Sequence, residues 1–308
     1  MSINGLIAVC FLLAVTKGGV IYVDKGIPYD DGKLSSAELT IEVTTDASPK
    51  HVKVYFPLGP GEFPVIYFIG GLSAYVPAEA YSIVLSKVAK HGFFVLGIDY
   101  GYPVSAALGE DLDVYFQELY FLQKYLVNKT SGIPRWDLTG LACHSAGCDT
   151  ALKMLEMQKF PFKASAFMEP YSQLVHGTKL MNYTVPSLMY GTQLSEDGFP
   201  HCNVRGYDYI QFYNVWKCPK VALEVADFGH CDFLDPVAWE GCHITHFCKT
   251  TNNTRLDHYR QTVQGVISAF FETTLQGRHD VIDYITNTTN IPTKVLNSKS
   301  DWTCGYKS

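Results

Sequence analysis

The pentapeptide at residues 143–147, Cys-His-Ser-Ala-Gly, lies between a strand-like and a helix-like stretch of the sequence. Residues 136–142 form an apolar run that predicts a buried strand, and residues 148–159 carry apolar side chains at helical spacing. A serine in a tight turn between strand and helix is typical of a nucleophile elbow, which exposes the serine hydroxyl. The two backbones pass close together there, so small residues are needed two positions either side of Ser145. Cys143 and Gly147 meet that requirement.

Strand-like and helix-like segments alternate along the rest of the chain. Two alternating segments, 38–43 and 51–56, predict antiparallel strands, whereas short apolar runs predict buried strands at 64–69, 92–99, 164–168, 186–190 and 220–225. Helical periodicity is found at 81–91, 111–127 and 259–275. This order predicts an α/β fold with a mostly parallel central sheet flanked by helices. Without a repeat or linker, residues 19–308 are predicted to form a single domain.

The N-terminus predicts secretion. Residues 7–15 are an unbroken apolar block followed by Thr-Lys-Gly-Gly. The block is too short to span a bilayer and matches the core of a signal peptide, assigned to residues 1–18, although a buried N-terminal strand is the alternative. The sequence contains no second long apolar run, so no transmembrane segment is expected. Glycosylation sequons at Asn128, Asn182, Asn252 and Asn287 fit an extracellular protein.

Removal of residues 1–18 would remove Cys10 and leave eight cysteines, an even number that predicts disulfides in an oxidising compartment. Cys202 with Cys218 is one candidate pair. Cys143 and Cys148 are expected not to bond to each other, because such a bond would distort the elbow. The cysteines and histidines of residues 242–248 resemble zinc ligands, but disulfides are favoured there, and neither a metal nor a cofactor is predicted.

Net charge limits the classes of partner. The chain carries a formal charge of −6 with no basic run, which gives no support for binding nucleic acid or an anionic membrane. Aromatic residues cluster at 207–216, where they either line an apolar pocket or pack a cap over the fold.

A serine nucleophile needs a histidine base, which in this architecture follows a late strand. His230 comes shortly after the strand predicted at 220–225, and Gly229 before it allows the loop to turn. His201 is the main competitor, and His243 and His246 lie later in a loop that contains cysteines. His144 adjoins the serine and is expected to point elsewhere and to serve packing.

The acid that orients the histidine has two candidate positions. Glu169 directly follows the strand at 164–168, and the proline after it fixes the exit of the chain. Asp197 or Glu196 follows the strand at 186–190. Asp227 is too close in sequence to His230 to reach around it, and a structural role is favoured for Asp99. Spacing alone leaves Glu169 and the pair at 196–197 as alternatives.

Two backbone N–H groups are needed to hold an oxyanion. Ala146, which follows the serine, should supply one. The loop after the strand at 64–69 should supply the other, which we assign to Leu72. Gly70 and Gly71 in that loop allow a close approach of the backbone.

Four stretches together resemble the chlorophyllase family of α/β-hydrolases from about residue 61 to the last helix. They are Gly-Glu-Phe-Pro-Val at 61–65, Lys-His-Gly-Phe at 90–93, His-Ser-x-Gly at 144–147, and Asp-Phe-Gly-His-Cys-Asp-Phe-Leu-Asp at 227–235. The resemblance implies the α/β-hydrolase fold and ester hydrolysis, and it places the acid at Glu169. The chain departs from the family pattern at Gly70, Cys143, Ala146 and Cys148.

The function inferred from the sequence is that of a secreted serine hydrolase acting on an apolar carboxylic ester. The resemblance makes the phytyl ester of chlorophyll a candidate substrate, with chlorophyllide and phytol as products. The alternatives are a lipase or carboxylesterase for other apolar esters, and a catalytically inactive protein that binds a pigment or lipid. The sequence carries no signal for the oligomeric state.

Overall fold

A computed structural model describes residues 21–101, 111–181, 184–197 and 202–302. The predicted signal peptide at 1–18 and the positions of Asn182, His201 and Cys304 lie outside these residues. One sheet runs from the beginning to the end of the described chain, whereas the single-domain assignment of 19–308 stays a prediction.

The described residues form a nine-stranded sheet in the order β1-β2-β4-β3-β5-β6-β7-β8-β9. The strands β4, β3, β5, β6, β7 and β8 are parallel to one another, and antiparallel strands complete the sheet at both edges. The strands are β1 Ser36–Ile41, β2 His51–Pro57, β3 Glu62–Ile69, β4 Phe94–Asp99, β5 Ile133–His144, β6 Ala164–Met168, β7 Ser187–Thr192, β8 Lys220–Val225 and β9 Val295–Asp301. The predicted α/β fold with a mostly parallel sheet is confirmed.

Helices cover both faces of the sheet. They are α1 Val43–Asp46, α2 Gly71–Ala74, α3 Ser82–Lys90, α4 Leu112–Tyr125, α5 Gly147–Met157, α6 Tyr209–Val215, α7 Pro236–Thr245, α8 Leu256–Leu275 and α9 Asp283–Thr286. Short 3₁₀ turns lie at Ala78–Tyr81, Gln173–Val175, Gln193–Glu196, Asn253–Arg255, His279–Ile282 and Thr288–Asn290. One apolar core lies between the sheet and helices α3 and α8, and a second lies between the opposite face and helices α4, α5 and α6.

Three elements differ from the sequence-based expectation. Residues 236–245, expected to be a loop, form helix α7. Residues 295–301, for which the sequence predicted no strand, form β9, which pairs with β8 at the sheet edge. Aromatic residues from the 207–216 cluster, including Phe212 and Trp216, are buried under the sheet as part of helix α6 and its end. They pack a core and do not line the cavity described below. Within the described parts of the chain, no helix has both the length and the apolarity needed to cross a bilayer.

Candidate active site

Ser145 lies at the turn between strand β5 and helix α5. Its φ is +55°, a left-handed conformation that strains any residue other than glycine. The Ser145 N–H donates to the carbonyl of Met168 at 3.2 Å, and the Tyr171 N–H donates to the Ser145 carbonyl at 3.1 Å. A Cβ atom on Gly147 would lie 2.2 Å from the carbonyl oxygen of Gly70, so only glycine fits there. The tight strand–turn–helix predicted from residues 143–147 is therefore present.

Glu169 and His230 are brought together at the carboxyl edge of the sheet. Glu169 directly follows β6 and also has a positive φ, +48°, while its N–H donates to the Tyr190 carbonyl at 2.7 Å. Its Oε2 lies 3.4 Å from Nδ1 of His230, and both side chains are buried. His230 lies in the loop after β8 and lines the same cavity as Ser145. Because β5, β6 and β8 are parallel, their carboxyl ends place all three residues at one edge.

The competing acids face other partners. Glu196 is exposed, and each of the other three pairs with a basic or imidazole side chain: Asp197 with Lys249 at 3.0 Å, Asp227 with Arg255 at 3.3 Å, and Asp99 with His51 at 2.6 Å.

The competing histidines also point elsewhere. Nδ1 of His243 lies 2.7 Å from the hydroxyl of Thr250, and its ring stacks on Trp239. His246 is exposed at the end of α7.

Asp232 organises the loop that carries His230, and the sequence reasoning assigned it no role. Its buried carboxylate accepts hydrogen bonds from the N–H of Gly229 at 2.7 Å, the indole of Trp239 at 2.8 Å and the N–H of Thr251 at 2.9 Å. Burial raises the pKa of Asp232 to about 6, against the opposing effect of these donors. The only signal was its place in the stretch at 227–235 that resembles the chlorophyllase family.

The loop after β3, which includes the short α2, and the residue after the serine each present an N–H group at the cavity. Leu72 has a φ of +52° and lines the cavity together with Gly71 and Ala146. The Gly71 N–H is already used, since it donates to the hydroxyl of Tyr81 at 2.8 Å. Neither the Leu72 nor the Ala146 N–H donates to a protein acceptor within the described residues. These two groups are thus available to a ligand. Gly70 supports the turn, because a Cβ there would lie 2.5 Å from a backbone oxygen.

His144 was predicted to point away from the site and to serve packing. It is buried as predicted, but it also lines the cavity. Its Nδ1 lies 2.8 Å from the hydroxyl of Tyr81, and its ring lies 4.4 Å from that of His230. Burial, together with the neighbouring His230, holds the pKa of His144 well below its usual range. The Tyr81 hydroxyl accepts from the Gly71 N–H and is also hydrogen-bonded to Nδ1 of His144. Tyr81 thus connects the loop after β3 to the elbow, a contact that no sequence signal indicated.

The cavity at this edge has a volume of about 580 Å³, within the usual range for ligand pockets. Most of its walls are apolar and come from the loop after β3, helix α7 and the segments held to it by disulfides. Its apolar lining residues include Leu72, Val76, Val204, Leu234, Ala238 and Phe247.

Three disulfides lie around the cavity, and two of them correct the sequence-based expectations. Cys143 bonds to Cys148, although such a bond was expected to distort the elbow, because the turn places their Cα atoms 5.1 Å apart. Cys202 bonds to Cys248 rather than to Cys218, which is itself disulfide-bonded. The third bond joins Cys231 to Cys242. Cys242 and Cys248 therefore have no free thiolate for zinc, and the disulfide interpretation of residues 242–248 is confirmed.

Comparison with known proteins identifies the family. The chlorophyllase family matches residues 26–301 of the chain. Chlorophyllase-1, chloroplastic, from Citrus sinensis is 27% identical over 264 residues, which cover 78% of each chain. Chlorophyllase-1 from Arabidopsis thaliana is 23% identical over 276 residues, with 81% of this chain and 84% of the relative covered. Chlorophyllase-2 from the same plant is 22% identical over 288 residues, with coverages of 81% and 89%. Because the match spans most of its length, the chain belongs to the chlorophyllase family.

Proposed function

We propose that the chain is a serine hydrolase that cleaves a carboxylic ester, with Ser145 as nucleophile, His230 as base and Glu169 as the orienting acid. The observation that carries the proposal is the buried contact between Glu169 and His230 beside the cavity that exposes Ser145. Membership of the chlorophyllase family supports hydrolysis.

The geometry suggests the following sequence of steps. The Ser145 hydroxyl attacks the ester carbonyl while His230 takes its proton at Nε2, and Glu169 at Nδ1 stabilises the imidazolium that forms. The N–H groups of Leu72 and Ala146 hold the developing oxyanion. His230 then gives the proton to the leaving alcohol, which departs and leaves an acyl-serine. Water, deprotonated by His230, attacks the acyl group, and the acid is released as the serine is reprotonated.

The apolar cavity supports an ester with a large apolar group. All three relatives are named chlorophyllases, so we propose the phytyl ester of chlorophyll as the substrate, with chlorophyllide and phytol as products. The departures at Gly70 and Cys143 lie at the turns around the serine. A preference for other apolar esters, as in a lipase or carboxylesterase, is the second candidate.

We further propose that the protein is secreted after loss of residues 1–18. The sequons at Asn128, Asn252 and Asn287 are exposed, as glycosylation requires. All seven cysteines within the described residues are disulfide-bonded, which fits an oxidising compartment. The Citrus relative is chloroplastic by name. Secretion from cultured eukaryotic cells, with a mass that falls on enzymatic deglycosylation, is the expected result, and retention inside the cells would contradict it.

The mechanism is tested with a fluorophosphonate probe and with paired acid variants. Labelling of the wild type that disappears in a folded Ser145→Ala variant supports the nucleophile. Glu169→Gln should reduce turnover at least a hundredfold, because His230 loses the charge that stabilises its protonated form. Asp197→Asn, the matched control, should stay within twofold. If Asp197→Asn abolishes activity and Glu169→Gln does not, the assignment of the acid is wrong.

The substrate is tested with a panel of chlorophyll, 4-nitrophenyl butyrate and a triacylglycerol. Release of chlorophyllide at the highest kcat/KM supports the phytyl ester, whereas preference for either other ester supports a carboxylesterase or lipase. A well-folded wild type that neither reacts with the probe nor hydrolyses any member of the panel would instead be an inactive protein that binds a pigment or lipid.

A further inference from the structure

Five exposed apolar side chains lie on the segments that form the cavity wall, and we call them the apolar rim. They are Leu72, Val204, Val237, Ile244 and Phe247. Leu72, Val204 and Phe247 also line the cavity, so the apolar surface continues from its interior onto the outside of the protein. Single exposed apolar residues are common on proteins, but five on the segments around one cavity mark a surface that contacts something apolar.

Helix α7 supplies the outer part of the rim with an unusual pattern. Val237, Gly241 and Ile244 are spaced i, i+4 and i+7, which places them on one face of the helix. In a globular protein such a stripe normally packs on the core. Here Trp239 takes the buried position, and Val237 and Ile244 are 89% and 66% exposed. The side of α7 next to this stripe contributes Ala238 and Cys242 to the cavity.

Two disulfides hold the rim in place. Cys231–Cys242 joins α7 to the residue after His230, and Cys202–Cys248 joins the segment that carries Val204 to the residue after Phe247. The apolar stripe is thus presented outward by a covalently fixed frame. The exposed apolar side chains cannot readily fold inward, and the described residues of the chain leave them exposed.

The charges at this surface favour a neutral partner. Residues 236–248 contain no lysine or arginine, and Glu240 is the only acid among them. Lys249, at the end of this segment, is paired with Asp197. Anionic membranes attract clusters of basic residues, which the rim lacks. The net charge of −6 adds repulsion.

We propose that the apolar rim docks on a neutral lipid–water surface, in which the apolar ester is dissolved, and that it passes the ester from that surface into the cavity. This inference rests on the proposed function, because a long apolar ester is the substrate that would need such delivery. The continuity of rim and cavity gives the ester a path that never crosses water.

Binding is measured directly with the secreted form of the Ser145→Ala protein and phosphatidylcholine vesicles in a flotation assay. The test variant is Val237→Asp with Ile244→Asp, neither of which lines the cavity. The matched control is Val127→Asp with Ile133→Asp, the same residue types at 62% and 59% exposure at the opposite edge of the sheet. The test pair should lower vesicle partitioning at least tenfold, and the control pair should stay within twofold.

Several results would overturn the proposal. They are absence of vesicle binding, equal effects of the two pairs, tighter binding to phosphatidylserine than to phosphatidylcholine, and a dimer in light scattering that the test pair dissociates. The last result would make a second copy the occupant of the rim.

Turnover of water-soluble 4-nitrophenyl butyrate separates this proposal from the proposed function. With Ser145 intact, the test-pair variant and the wild type should hydrolyse this soluble ester at the same rate. Hydrolysis of an ester embedded in vesicles should fall in the test-pair variant and not in the control-pair variant. If no ester is hydrolysed at all, the proposed function fails while the flotation result still decides on the rim.

Discussion

A buried ionic cluster joins the N-terminal segment to helices α3 and α8, and it should make stability depend on pH. His91, at the end of α3, places Nδ1 3.0 Å from a carboxylate oxygen of Asp24 and 3.0 Å from one of Glu272. Its Nε2 lies 3.1 Å from the carbonyl oxygen of Asp30, and Arg278 contacts the other oxygen of Glu272 at 2.8 Å. Arg278 also contacts the exposed Asp280 at 2.9 Å. A protonated His91 therefore supplies positive charge that the two buried carboxylates, Asp24 and Glu272, need inside the protein.

The size of the effect follows from the pKa of His91. Burial acts to lower this pKa, but the hydrogen bonds and charges of Asp24 and Glu272 outweigh burial and raise it from 6.5 to about 9. At about 1.4 kcal/mol per pH unit, the difference corresponds to about 3 kcal/mol of stability. Because the folded-state pKa is the higher one, this stability is fully present below pH 6.5 and is lost as the pH rises through 9.

Urea unfolding of wild type and His91→Gln at pH 5.5 and pH 9.5 measures this contribution. Glutamine cannot carry the charge, so the variant should be about 3 kcal/mol less stable at pH 5.5, and the gap should close at pH 9.5. His258→Gln, a change at an exposed histidine, is the control and should show no comparable gap at either pH.

Two results would refute the reasoning. An equal gap at both pH values would show that protonation of His91 contributes nothing to stability. The ligand atoms of Asp24, His91 and Glu272 also lie within 4.8 Å of one another, close enough to hold a metal ion. A bound divalent cation would need neutral His91, so wild type would then gain stability as pH rises and on addition of zinc, the opposite sign.

Two further variants test the frame around the serine. Tyr81→Phe leaves the buried Gly71 N–H without its acceptor, which should cost about 1–3 kcal/mol in urea unfolding and lower the kcat for ester hydrolysis. Unchanged kcat would show that this contact does not hold the loop after β3. Gly147→Ala places a Cβ 2.2 Å from the Gly70 carbonyl oxygen and should abolish probe labelling. The control Gly241→Ala, in an exposed helical position where a Cβ meets no other atom, should keep labelling and gain about 0.5–1 kcal/mol of stability.

The buried strands could be predicted from sequence because burial on both faces requires a continuous apolar run. Strands β6 and β8 match the predicted segments 164–168 and 220–225 to the residue. Parallel strands bring their carboxyl ends to one edge of the sheet, which left Glu169 and residues 196–197 as alternatives for the acid. The resemblance to the chlorophyllase family selected Glu169, which lies 3.4 Å from His230. Their catalytic roles stay predictions until the variants are measured.

The elements that the sequence did not predict have hydrophobic patterns that do not match the burial of their residues. Strand β9 is mostly exposed and polar, and it forms because the edge of β8 offers unpaired backbone groups. Helix α7 exposes its apolar stripe, so the periodicity of its apolar residues did not indicate which face packs against the fold. The pairing of Cys202 with Cys248, 46 residues apart, depends on contacts that sequence spacing does not reveal.

The bond between Cys143 and Cys148 shows how local geometry can reverse an expectation. The two residues flank the serine, and a bond was expected to pull the strand and helix out of place. The tight turn that gives Ser145 its positive φ already brings the two Cα atoms to 5.1 Å, inside the range that a disulfide spans. A closed loop of so few residues constrains the unfolded chain by only about 2 kcal/mol in the chain-entropy model. The bond is therefore a consequence of the elbow and modestly favours its formation. Cys143 can stand at this departure from the family pattern because its side chain is directed to a partner five residues away.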